Sequence, residues 1–144
     1  SYSDIFYNFT AVSSLMTSQH ELALTYDPNW LNLWKSRFDD PLTDAETFKI
    51  NPDGELTEIG NTPRTLDEIE GQFMGLIKFT PKSWSILKKV RSNLVTNISE
   101  KMHMTNTLQL LIETKQIKIK AVPYSGIWGE IDSETDLMVY ENGV

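Results

Sequence analysis

Asp4 and Asp132 are the residues in this 144-residue chain whose type and setting best suit chemistry. Asp4 follows Ser1-Tyr2-Ser3, just past the carboxyl end of any strand preceding residue 1. Asp132 lies just past a strand expected over residues 127–131, immediately before a capped helix. Ligands in open α/β sheets collect at the carboxyl ends of strands. Two carboxylates brought together there suit Mg²⁺, a hard cation that often takes one or two oxygen ligands from protein and the rest from phosphate and water. From spacing alone, turn capping is the plainer account of both residues.

Much other chemistry is excluded. There is no cysteine, which removes disulfides, thiolate nucleophiles and cysteine-ligated metals. The seven glycines form no G-x-G-x-x-G, no phosphate-binding G-x-x-x-x-G-K-[ST], and no G-x-S-x-G elbow. His20 and His103 stand alone, without a second histidine at ligand spacing, and read as ordinary surface or packing residues. Gly71 and Gly75 fall in a strand-like run, where glycine marks the close approach of a ligand or another backbone. Among the tryptophans, Trp84 opens a helical stripe and is expected in the core; Trp128 suits packing first and a pocket wall second; Trp30 is open to either. Lys82, Lys88, Lys89 and Arg91 alternate with apolar residues at helical spacing, as on a solvated face.

A net charge of −7 and a pI near 4.8 oppose binding to phosphate backbones or anionic lipid, so neither nucleic acid nor membrane is expected as a partner. No apolar run approaches the roughly 18–20 residues of a spanning helix. Freedom from cysteine suits a reducing, cytoplasmic setting. The chain opens abruptly at Ser1 without methionine, as though cut from something longer.

The elements that must position these residues follow from period and punctuation. Helices are expected over residues 9–18, 30–38, 80–100, 105–114 and 133–140, the last opened by a capping box, Ser133-Glu134-Thr135-Asp136. Strands are expected over residues 21–26, 73–79, 117–121 and 127–131. Residues 45–60 read as a hairpin turned by Asn51-Pro52-Asp53-Gly54. Strands interleaved with amphipathic helices predict an α/β domain spanning residues 1–144, with a mostly parallel sheet and an inserted β-hairpin.

Four segments then come in a familiar order: Ser1-Tyr2-Ser3-Asp4-Ile5; Pro41-Leu42 with Glu46; Gly71-Gln72-Phe73-Met74-Gly75-Leu76 with Phe79; and Trp128-Gly129-Glu130-Ile131-Asp132 with Asp136-Leu137. Together they resemble the C-terminal part of a nucleotidyltransferase. The likeness is to the bacterial subgroup of phosphocholine cytidylyltransferases and the cytidylyltransferase domains fused to phosphoenolpyruvate mutases, and it runs over nearly all of the chain.

The resemblance implies a nucleotide-diphospho-sugar transferase-like (Rossmann-like) fold. It also implies Mg²⁺ held by Asp4 and Asp132 as the metal-binding and catalytic pair, and an acceptor pocket shaped by Trp30, Glu46, Gln72 and Trp128. The implied partners are a nucleoside triphosphate (CTP), a small phosphate or phosphonate acceptor, and an N-terminal nucleotide-binding portion of the same enzyme, whose glycine-rich loop has no counterpart here. Gln72 stands where an acidic residue is common in such enzymes, and Asn106 where aspartate is expected. The alternatives are a non-catalytic binding or assembly module that keeps the fold, or a fragment of a sugar-1-phosphate nucleotidyltransferase.

Overall fold

A computed structural model describes residues 1–141. Strand β1 (Ile5–Tyr7) leads into α1 (Phe9–Thr17), whose first turn is capped by the Asn8 side chain accepting from the Thr10 amide. Strand β2 (Leu22–Asp27) follows, then α2 (Trp30–Arg37). The hairpin forms as β3 (Phe48–Ile50) and β4 (Leu56–Ile59), with Gly54 in the turn at a φ of 72°. Strand β5 (Gln72–Phe79) precedes α3 (Pro81–Ser92), opened by the Thr80 cap and proline at the first helical position. Helices α4 (Thr96–Lys101) and α5 (Met104–Glu113), strands β6 (Lys120–Pro123) and β7 (Trp128–Glu130), and helix α6 (Glu134–Glu141) complete the order.

The three-stranded sheet has the order β5-β2-β6, with β2 buried along its whole length. Alternation along β2 gives the sheet two covered faces. Ala23 points to a core with Ala11 and Leu15 of α1 and Leu33 and Trp34 of α2. Leu22, Leu24 and Tyr26 point to a second core with Leu87 of α3, Leu108 and Leu111 of α5, and Phe48, Leu56 and Ile59 of the hairpin. Helices on both faces of a sheet are the α/β arrangement that the interleaved pattern predicts.

The mostly parallel sheet is corrected within the described residues. The β2–β6 pairing is parallel, whereas β2–β5, β1–β7 and β3–β4 are antiparallel. Periodicity records which side chains are buried, but strand direction depends on the end from which the chain re-enters the sheet, and that is set by tertiary packing. The long helix expected over residues 80–100 is likewise divided: α3 ends at Ser92 and α4 begins at Thr96. Trp84 is 44% exposed at the helix start, with its ring edge-on to Phe79 at 5.3 Å, instead of lying in the core. Arg91 departs from the solvated face. It donates to Thr107 Oγ1 at 2.6 Å and to the carbonyls of Met102 and Ser99, tying α3 to the segment that follows it.

Candidate metal centre

The pairing of β1 with β7 sets Asp4 and Asp132 side by side. It is antiparallel, with Ile5 opposite Glu130, and the Ile131 amide donates to the Asp4 carbonyl at 2.9 Å. The residue just before β1 and the residues just after β7 therefore share one end of a two-stranded ribbon. One carboxylate oxygen from each of Asp4, Glu130 and Asp132 lies within 4.8 Å of the others. What places Asp4 is β1, an element that sequence periodicity does not reveal because three residues are too few to show a period.

Tyr2 secures the segment from the other side. Its amide donates to the Gly75 carbonyl at 3.0 Å, and its ring packs edge-on against Phe73 at 5.6 Å. Strand β5 bulges at this point: Leu24 pairs with Ile77 and Tyr26 with Phe73, so four steps of β5 span two of β2. Gly75 sits in the bulge at a φ of 80°, and a Cβ there would come within 2.9 Å of the Tyr2 ring. The close approach that a strand glycine signals is thus that of the Tyr2 segment.

Arg37, in the last turn of α2, joins the acids on the inner side. Its side chain is fully buried, and it reaches three carboxylates: Nη2 to Asp132 Oδ2 at 2.9 Å, Nη1 to Glu130 Oε2 at 3.4 Å, and Nε to Asp136 Oδ1 at 2.8 Å. The guanidinium carbon lies 5.0 Å from the Trp34 ring centroid and 4.9 Å from that of Phe38, both cation–π distances. Burial works against the charge of Arg37, but the hydrogen bond to Asp136 and the surrounding acids outweigh it and hold the guanidinium above its ordinary range.

Asp136 supplies the capping box expected at residues 133–136. Its second oxygen accepts from the amides of Asp132 and Ser133 and from Ser133 Oγ, at 3.1, 3.0 and 2.8 Å, while Ser133 Oγ accepts from the Asp136 amide at 3.2 Å. The Arg37 hydrogen bond, above all, lowers the Asp136 carboxyl below its usual range. A depressed acid stabilises the fold above its unfolded-state range and loses that contribution as pH falls through the lowered value. Asp136→Asn is expected to cost about 1.5–3 kcal/mol at neutral pH, the weight of a charged hydrogen-bond acceptor. Thermal melts of both proteins should converge on acidification; a gap that stays constant with pH would contradict this account.

The acids open onto a cavity of about 450 Å³ lined by Tyr2, Glu46, Gln72, His103, Thr105 and Asp132, among others. Glu46 accepts from Thr105 Oγ1 at 3.2 Å, and burial pushes its carboxyl up. Burial, with the Asp132 charge adding to it and Arg37 opposing, raises Glu130 to about 7. Burial and the charges of Glu46, Glu130 and Asp4 push the Tyr2 phenol up to about 12. The pocket is strongly anionic.

The structure divides the site residues that the sequence suggests. Glu46, Gln72 and Asp132 line the cavity, and Asp4 stands in the acid cluster. Trp30 is buried in the core, its indole donating to the Ile69 carbonyl at 3.3 Å. Trp128 is buried too; its indole donates to Asp27 Oδ2 at 2.9 Å, and it borders a separate cleft of about 320 Å³. Neither tryptophan lines the acid-rich cavity. The sequence pattern misses Glu130 and Arg37. Glu130 lies inside the last quoted motif, and the spacing Trp34-x-x-Arg37-Phe38 was a signal for a sheltered cation.

No family model matches the chain. It is 42% identical over 148 residues to the CTP:phosphoglutamine cytidylyltransferase of Campylobacter jejuni subsp. jejuni, a match that takes in 96% of this chain and 56% of the relative. Its fold superposes with a TM-score of 0.68 on the inositol-1-phosphate CTP transferase from T. maritima, at 20% identity, over 96% of this chain and 51% of that one. The chain thus spans about half the length of both of these proteins. Among the described residues, no helix is long and apolar enough to cross a membrane. In sequence the chain is thus similar to a CTP-dependent cytidylyltransferase, and in fold to a CTP transferase, over almost all of its own length and about half of theirs.

Proposed function

We propose that this chain is the metal-and-acceptor portion of a CTP-dependent nucleotidyltransferase that joins CMP to a small phosphate or phosphonate acceptor. The observation that carries this reading is the meeting of Asp4, Glu130 and Asp132, the last two of which also line the acid-rich cavity. The acceptor phosphate oxygen attacks the α-phosphorus of CTP, a new P–O bond forms, and the bond to the bridging oxygen breaks to release pyrophosphate. Such a reaction needs no covalent protein nucleophile, which suits a chain without cysteine.

The donor set fits a hard divalent cation. All three candidate ligands are carboxylate oxygens, the donor type that hard divalent cations take, and they lie within 4.8 Å of one another. Asp4 and Asp132 would hold Mg²⁺ with Glu130 beside them; when bound, Mg²⁺ supplies charge neutralisation at the reacting phosphates. Glu46 and Gln72 shape the acceptor end of the cavity. The overall charge of −7 is compatible with anionic substrates because the cation, not the long-range field, meets the phosphates. A reducing, cytoplasmic setting suits this composition.

The nucleotide-gripping portion is proposed to come from the rest of the same enzyme. The expected result is no CMP-transfer product when the 144-residue chain alone is given CTP, Mg²⁺ and aminoethylphosphonate or phosphocholine, and product once the complete enzyme replaces it. Product from the chain by itself would overturn this division of labour. No product from the complete enzyme with any phosphate or phosphonate acceptor, alongside calorimetric binding of such ligands, would favour a non-catalytic module.

A further inference from the structure

We propose that Arg37 is the positioning residue of the acidic centre: it fixes Asp132 and Glu130 so that their remaining carboxylate oxygens face a shared divalent cation. The inference rests on the reading of that centre as a metal site. Each ion pair with Arg37 uses a single carboxylate oxygen, Oδ2 of Asp132 and Oε2 of Glu130, and so leaves the second oxygen of each for another cation. Arg37 also acts on the backbone beneath Asp132. Its Nε holds Asp136, and the other Asp136 oxygen holds the amides of Asp132 and Ser133. One guanidinium thereby fixes Asp132 at both its side chain and its main chain.

Charge balance alone does not require this arrangement. A cation kept only to offset nearby acids would do so equally from the surface, whereas the Arg37 side chain is fully buried and in cation–π contact with the adjoining Trp34 and Phe38 rings. A planar fork with three donor nitrogens in fixed directions meets three carboxylates at once, which the single ammonium of lysine cannot do. Partners that orient metal-ligating carboxylates from behind typically contribute 10–100-fold to metal affinity.

The test is Mn²⁺ binding to the 144-residue chain, followed by the electron paramagnetic resonance of the free ion, with near-UV circular dichroism as the check on folding. Four proteins are compared: wild type, Asp132→Ala, Arg37→Lys and Phe38→Leu. Arg37→Lys keeps the charge but loses the fork, and its Mn²⁺ affinity is expected to fall about 10-fold or more. Phe38→Leu changes no charge and removes one of the two rings that contact the guanidinium; a several-fold weakening is expected. Wild-type or tighter affinity in a folded Arg37→Lys protein would overturn the inference. Should Arg37→Lys lose its near-UV signal, Phe38→Leu decides, and unchanged affinity there overturns it. A wild-type chain with no Mn²⁺ binding sensitive to Asp132→Ala would sink the metal reading itself, and the role of Arg37 with it.

Discussion

Asp132→Asn, made in a complete enzyme, should cut turnover by at least about a hundredfold while leaving the melting temperature nearly unchanged. Loss of one strong electrostatic contact that acts on a developing charge typically lowers kcat by about 10²–10³. Stability should respond little, because the Asp132 side chain is 51% exposed and its pair with Arg37 is one of three that the guanidinium makes. Partly exposed ion pairs contribute about 1 kcal/mol or less. The amide of asparagine has nearly the shape of the carboxylate, so packing is preserved and what is lost is charge on one proposed ligand. A collapse of rate with an intact fold is therefore the signature of a metal-centre role. Near-normal turnover would remove Asp132 from the centre, and a parallel fall in melting temperature would point to a capping role instead.

Arg37→Met is expected to have the opposite signature, a large loss of stability. Removing one partner from a buried ionic network leaves the others uncompensated, at about 3–5 kcal/mol. Here Glu130, Asp132 and Asp136 would face one another without a cation. For a chain of this length that is a fall in Tm on the order of 10 °C. The pH dependence follows from the same pairs. In the wild type, the pair of Arg37 with Asp136, whose carboxyl is held below its usual range, stabilises the fold above the unfolded carboxylate range and is lost as pH falls through the lowered value. The difference between variant and wild type should therefore be widest near neutrality and narrow as pH falls below about 4. Added Mg²⁺ should restore part of the loss, because a second cation then offsets the same acids. Equal melting curves for the two proteins at neutral pH would show the network to be energetically idle.

Local pattern reaches as far as single elements. Helices α1, α2 and α5, strands β2 and β5, and the hairpin all fall within about two residues of where period and turn chemistry place them. The capping box at Ser133 and Asp136 was readable as a local device, and it forms. Strand β1 was not readable, nor was the break between α3 and α4. There an apolar stripe continues through Leu94 and Ile98, yet Ile98 is 51% exposed. A stripe states which residues would lie together if the helix ran on; whether anything covers them depends on neighbours the segment does not contain. Trp84 failed for the same reason. Trp30 and Trp128 suited either core or pocket; both are buried, with indole hydrogen bonds to Ile69 and Asp27, and Trp128 also borders a cleft.

The sequence by itself determined the α/β class, the faces of most elements, the absence of thiol and paired-histidine chemistry, and the two aspartates worth following. Tertiary structure alone decided strand direction, the meeting of Asp4 and Asp132 through the β1–β7 ribbon, the addition of Glu130, and the burial of Arg37 against two rings. The physical reason is range: side-chain periodicity and capping are settled within a turn or a pleat, whereas a carboxylate at one end of the chain meets one near the other only after the sheet, its bulge and both helical layers have packed.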